Sequence, residues 1–235
     1  MLSVRRTKVL DALINEYVSS MMPVSSSRLA ECYLPDVSAA TIRNELFGLE
    51  SDGLAYSPHT SSGRIPTNSG FRLFVSRLLL VPRDFSVTSE GGVERQQLWQ
   101  KQIKAIGFYD FSQSILEPLL ALCGQLAFSW CPTAHPVLVV RGLSLLLRHP
   151  EFRDAELLAA ILTLVESQSD LVGVVEESLG QTDFAVRIGL SGEGPLSSCA
   201  LIARRVSYQP TITFGLIGPT RMDYRQAMRA LGSVT

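Results

Sequence analysis

Between Ala39 and Asp52 the chain reads AATIRNELFGLESD, and the side chains able to do chemistry are crowded into its first two turns. At about 100° per residue, Ala39, Ile42, Leu46 and Leu49 share one helical face. Ala40, Thr41, Arg43 and Asn44 fall on the opposite face and its flanks. A guanidinium offers two parallel donors that match the acceptor edge of guanine, and a carboxamide offers the donor–acceptor pair that adenine requires. The methyl groups of Ala and Thr fit thymine. Ser38, directly before this run, is a helix-capping residue whose hydroxyl lies at the same end. An amphipathic helix with a merely solvated polar face would show the same alternation, so the flanking sequence has to decide.

A second polar cluster follows at once, PHTSSGRIPT from Pro58 to Thr67. Buried, its hydroxyls and guanidinium would lack partners, which places the stretch on the surface. Gly63 allows a close backbone approach and Arg64 carries a permanent planar cation, so a hairpin tip that grips an anion is expected here. His59, Thr60, Ser61, Ser62 and Arg64 would be its donors to phosphate.

The elements that must position these residues can be read from period and punctuation. Val9, Leu10, Leu13, Ile14, Tyr17 and Val18 form an apolar stripe on a first helix. The serines of SSSRLAECY start a short second helix, with Ser26 and Arg28 near its beginning. LPD is a turn, Ser38 caps the third helix, and Gly53 ends it. A short strand, the polar loop and a second strand come next. Thr67 then caps a fourth helix with Phe71, Phe74, Val75 and Leu78 inward and Arg72 and Arg77 outward. This order is that of a winged helix-turn-helix, in which the third helix enters the major groove and the hairpin touches backbone nearby. The expected DNA-binding residues are Ser26, Arg28, Ser38, Ala40, Thr41, Arg43, Asn44, His59, Thr60, Ser62, Arg64 and Arg72.

ATIRNEL and PHTSSGRIPTNSGFRLFVSRLL resemble the DNA-binding end of the heat-inducible transcription repressor (HrcA) family. RHPEFRD and GLIGPTRMDYRQAM resemble the same family's C-terminal motifs, in the same order. The resemblance implies a dimeric bacterial repressor of heat-shock and chaperone genes that binds double-stranded DNA at an inverted-repeat (CIRCE) operator. It also implies dependence on the GroE chaperonin, a cytoplasmic, nucleoid-associated location and a GAF-like fold for the second domain. The chain departs from the family in three ways. Ser25, Ser26 and Ser27 precede Arg28 where a Gly-Ser-Arg order is usual, and Phe47 and Gly48 replace a small and an acidic residue. The chain is also shorter, with the loss expected between LALCGQLAFSWC and HPVLVVRGLSLLL, where the family carries a dimerisation segment.

The expected organisation is α+β: a winged-helix domain at 1–80, a linker at 81–92 and an abridged GAF-like regulatory and dimerisation domain at 93–235. In that last domain VERQQLWQKQIKAIG and SQSILEPLLALCGQLAFS read as helices; the apolar excess of LWQKQI and ILEPLLALCGQLAFSW, with Leu119 and Leu122 in the latter, either forms the dimer contact or covers the abridged sheet. VLVVR, DFAVRIGL, CALIARRVSY and TITFGLIG read as strands. Thr220 with Asp223 three residues on reads as a capping box.

Composition narrows the classes. A net charge of −1 supplies no global field toward a polyanion, so nucleic-acid affinity would depend on placement. The four cysteines show no CxxC spacing and read as reduced thiols of a cytosolic protein, not as metal ligands. No apolar run is long enough to span a membrane. No His, Cys or Ser stands in a catalytic pattern and GLSGEGP lacks the ending of a phosphate loop, so no enzyme and no cofactor is expected. The alternative to a DNA-binding repressor is a winged-helix module that contacts protein or senses a ligand.

Overall fold

A computed structural model describes residues 2–59, 63–80, 92–207 and 210–234. The chain is α+β and divides into two compact units, Met1–Val81 and Pro82–Thr235. The expected linker at 81–92 lies outside the described residues except for its last position, where a helix already begins.

The first unit is built from α1 (Val4–Ser20), α2 (Ser26–Cys32), α3 (Ala39–Ser51), the hairpin strands β1 (Ala55–Tyr56) and β2 (Ile65–Pro66), and α4 (Asn68–Leu80). Each of the first three helices starts on a serine whose hydroxyl accepts a backbone N–H: Ser3 from Arg6, Ser25 from Arg28 and Ser38 from Thr41. That satisfies one of the donors that every helix N-terminus leaves open. Val9, Leu10, Leu13 and Ile14 of α1 are buried together with Leu29, Ile42, Leu46, Leu49, Phe71 and Phe74. Tyr17 and Val18, expected in the same stripe, are only partly covered.

The stop of α3 shows why Gly53 is there. Its φ is 69°, its N–H reaches the Glu50 carbonyl at 3.0 Å, and the Leu54 N–H reaches the Leu49 carbonyl at 2.9 Å. These two bonds close a Schellman motif, which needs a left-handed residue. Thr67 caps α4 by accepting from the Gly70 N–H at 3.1 Å, and it donates to the Gly53 carbonyl at 2.7 Å. One side chain therefore ties the end of α3 to the start of α4.

The second unit contains α5 (Gly92–Cys123), β3 (Leu126–Cys131), β4 (Val137–Arg141), α6 (Leu143–Leu146), α7 (Ala155–Glu166), α8 (Gln168–Leu179), β5 (Phe184–Ile188), β6 (Cys199–Val206), β7 (Ile212–Pro219) and α9 (Tyr224–Gly232). The five strands form one antiparallel sheet in the order β4-β3-β7-β6-β5. Leu126, Phe128, Leu201 and Ile217 point to one face and pack with Ile161 of α7 and Leu171 and Val175 of α8. On the other face Trp99 of α5 meets Phe111 and Phe214 edge to face, at 5.1 and 5.9 Å between centroids. Arg204, only 3% exposed, donates to the Leu231 and Gly232 carbonyls at the end of α9, where a cation suits the helix dipole.

Two details differ from the sequence expectation. The helix expected to run through LAFS ends at Cys123, because Gly124 turns with φ 63° and Leu126–Cys131 is a strand buried along its whole length. A fully buried strand lacks the alternation that would reveal it. The two helices expected on either side of Gly107 are present, and α5 breaks between them at that glycine, whose φ is 82°. At the last helix the cap is Asp223 itself, which accepts from the Gln226 N–H, so Thr220 and Asp223 do not form a capping box.

Burial fixes the chemistry of the cysteines in this unit. The Cys199 thiol is pushed up to about 12 by burial and then by the nearby Glu151 carboxylate. Cys123 is pushed up to about 11, again by burial first and Asp223 second. An acid whose pKa is raised on folding stabilises the fold fully below its unfolded pKa, about 8.5 for a thiol, and loses that contribution as pH climbs through the folded value. Stability is therefore expected to fall from about pH 9 upward through 11 and 12. Urea midpoints at pH 8 and pH 10.5 should differ more in the wild type than in a Cys123→Ala/Cys199→Ala variant; equal differences would remove the thiols as the cause. The exposed Cys32 should be the first thiol alkylated at pH 8.

Candidate nucleic-acid interface

The polar face of α3 is open to solvent. Ala40, Arg43 and Asn44 are exposed, while Ile42, Leu46 and Leu49 are buried on the reverse side. Ser38 and Thr41 sit at the helix start with their hydroxyls 2.9 Å apart, so each is partly occupied by the other. Beside α3 lies a cleft of about 600 Å³, with Arg43, Phe47 and Glu50 on one wall and Ser57, Gly63 and Arg64 on the other. His59 and Arg72 are exposed, and the Ser57 hydroxyl holds the His59 carbonyl at 2.6 Å. Thr60, Ser61 and Ser62 lie outside the described residues.

Three arginines expected at the surface or near DNA are bonded within the unit, as is one outside that expectation. Arg64 pairs with Glu50 at 2.9 Å, and its side chain is only 13% exposed. Its guanidinium carbon lies 5.0 Å from the centroid of the Phe47 ring. Arg28 pairs with Glu16 of α1 at 2.9 Å, and Arg77, expected on the outside of α4, pairs with Asp11. Arg6 spans Glu45 of α3 and Asp52, which directly follows it, both at 3.0 Å. Ser26 is only 6% exposed, although it is among the residues that line the cleft. Of the expected residues, then, Ala40, Arg43, Asn44, His59 and Arg72 are exposed, Ser38 and Thr41 serve the helix start, Arg28 is exposed but paired with Glu16, Arg64 is largely covered and paired with Glu50, and Ser26 is buried.

The two glycines singled out in the sequence have local reasons. A Cβ on Gly63 would come within 2.4 Å of the Val24 carbonyl, so the close approach is to the chain's own backbone. A Cβ on Gly48 would come within 2.4 Å of the Arg6 guanidinium, which crosses α3 there to reach Glu45 and Asp52. That contact offsets the helix propensity lost at a mid-helix glycine, about 1 kcal/mol relative to Ala. Sequence reasoning missed Phe47 and Glu50 as part of the cleft. The signal was a large aromatic four residues after Arg43, on the polar face, and it is 52% exposed.

Comparison with known proteins supplies the family. Residues 89–228 match the description "HrcA protein C terminal domain". The heat-inducible transcription repressor HrcA of Synechococcus elongatus is 27% identical, over 98% of this chain and 95% of its own. That alignment runs over 335 positions, 100 more than this chain has residues, so at least that many face gaps here. The HrcA of Frankia casuarinae is 32% identical, over 96% of this chain and 61% of its own. A hypothetical protein of known crystal structure shares the fold with a TM-score of 0.73, at 20% identity, over 98% of this chain and 95% of its own. With a family match across more than half of its length and these relatives, the chain belongs to the HrcA family of heat-inducible transcription repressors.

Proposed function

We propose that the protein is a sequence-specific transcriptional repressor of heat-shock genes, that its first unit is a winged helix-turn-helix, and that α3 is the recognition helix. The observation that carries this reading is the exposed Ala40, Arg43 and Asn44 surface on a capped helix flanked by the hairpin cleft. Small, bidentate and amide-bearing side chains on the first two turns suit base edges in a major groove. Family membership adds the inverted-repeat CIRCE operator and the GroE chaperonin as the expected partners.

An inverted repeat calls for two copies related by a twofold axis. Of the residues expected at that contact, Leu119 is 2% exposed and packs within its own unit, whereas Leu122 is 56% exposed. Leu98, Ile106 and Tyr109, also on α5, are 52%, 50% and 51% exposed. These four make α5 the proposed homodimer surface, and the second unit is proposed as a GAF-like, abridged regulatory domain.

The reading is tested by footprinting the purified protein on an inverted-repeat operator with excess nonspecific competitor. A protected, symmetric footprint is expected from a dimer. Equal binding to scrambled DNA, or a monomer that occupies the full operator as a single copy, would overturn it.

A further inference from the structure

We infer that Arg64 is a positioning residue, which sets the hairpin wing against the recognition helix through Glu50 and Phe47 instead of delivering its charge to phosphate. The inference rests on the proposed DNA-binding role of this unit.

Arg64 joins three parts of the unit. Its backbone exchanges two hydrogen bonds with Val24, N–H to carbonyl at 2.8 Å one way and 2.9 Å the other. That bridge adds the segment before α2 to the edge of the hairpin. Its guanidinium leaves the hairpin and reaches α3, bonding Glu50 and lying over the Phe47 ring. The absence of a side chain at Gly63 lets the hairpin backbone sit against Val24 in the first place.

The charge arithmetic points the same way. A phosphate ligand adds affinity by releasing counterions, and each such contact adds about 0.9 to the slope of log K against log salt. A guanidinium matched to a carboxylate 2.9 Å away brings almost no net charge to the DNA. Phe47 also has a purpose in this reading. Half exposed on an otherwise polar face, its ring supplies the platform that a planar guanidinium stacks on and an ammonium uses poorly.

The test uses the full chain and four variants, each first checked for a cooperative melt. Arg64→Ala, Phe47→Ala and Glu50→Gln should each weaken operator binding by about tenfold or more, one decade being about 1.4 kcal/mol, with the salt slope unchanged. Glu50→Gln is the sharpest case, because removing a negative charge beside DNA would strengthen binding if simple electrostatics governed. Arg64→Lys should resemble Arg64→Ala, since the lysine keeps the charge and loses the fork and the stack. Amide hydrogen exchange at Val24 and Arg64 should quicken in Phe47→Ala and Glu50→Gln, with or without DNA. Tighter binding by Glu50→Gln, rescue by Arg64→Lys, or a slope lowered by about one in Arg64→Ala would overturn the proposal. Should the wild type bind no operator while exchange responds as expected, the DNA-binding reading fails and the hairpin lock stands.

Discussion

Arg221→Ala is expected to destabilise the second unit by roughly 3 kcal/mol, the low end of the range for breaking a buried ion pair. Arg221 makes a two-point contact with Glu151, Nε to one carboxylate oxygen and Nη2 to the other at 2.9 Å. The arginine side chain is 9% exposed and the glutamate 26%, so the orphaned carboxylate would regain only part of its hydration. His149 extends the cluster. Its Nε2 faces the Gly124 carbonyl at 3.1 Å, which can only accept, so that nitrogen carries the proton. The other ring nitrogen, Nδ1, is then free to accept from Arg221 Nη2 at 3.5 Å. Through this chain of contacts the turn after α5, the 3-10 turn at Pro150–Arg153 and the segment before α9 are held together. Urea denaturation of Arg221→Ala and of Arg221→Ala/Glu151→Gln gives the check. The double variant should recover part of the loss, because no charge is left stranded. A loss under about 1 kcal/mol in the single variant would reduce the pair to surface strength.

That cluster also shows where reading the sequence stops. RHPEFRD and GPTRMDY stand about 70 residues apart, and each looks complete as a local signal: a turn with a proline, and a helix start. Nothing in either announces that Glu151 and Arg221 meet. The same holds for Arg28 with Glu16, Arg77 with Asp11 and Arg64 with Glu50. Each pair joins different elements, and only the fold brings them together. Local rules, by contrast, were readable. Serine caps, an apolar stripe every third or fourth residue and a glycine stop gave α1, α2 and α3 their places. The strands β5, β6 and β7 stood out by β-branched content between turns, while β3 stayed hidden because both of its faces are covered. Within the candidate interface the exposed residues of α3 followed from its period. The roles of Ser26, Arg28 and Arg64 did not, since each depends on what packs against it.

On the proposed reading, Asn44→Ala should cost about 1–3 kcal/mol of discrimination between operator and scrambled DNA while leaving affinity for scrambled DNA nearly unchanged. Asn44 is exposed, lies one turn after the exposed Ala40 and makes no contribution to the buried face formed by Ile42, Leu46 and Leu49. Its carboxamide can pair with adenine through a donor and an acceptor at once, which a methyl cannot replace. Arg43 stands beside it and also lines the hairpin cleft, so it could meet a guanine edge or a phosphate. Arg43→Lys separates the two roles. A lysine keeps a point charge for phosphate and loses the fork that fits guanine. Retained general affinity with lost discrimination in Arg43→Lys marks a base contact, whereas full recovery of both marks phosphate. Fluorescence anisotropy with labelled operator and scrambled duplexes, at two salt concentrations, gives all four quantities. If Asn44→Ala and Arg43→Ala both keep the wild-type ratio, sequence is not read by this face of α3 and the assignment of the recognition helix falls.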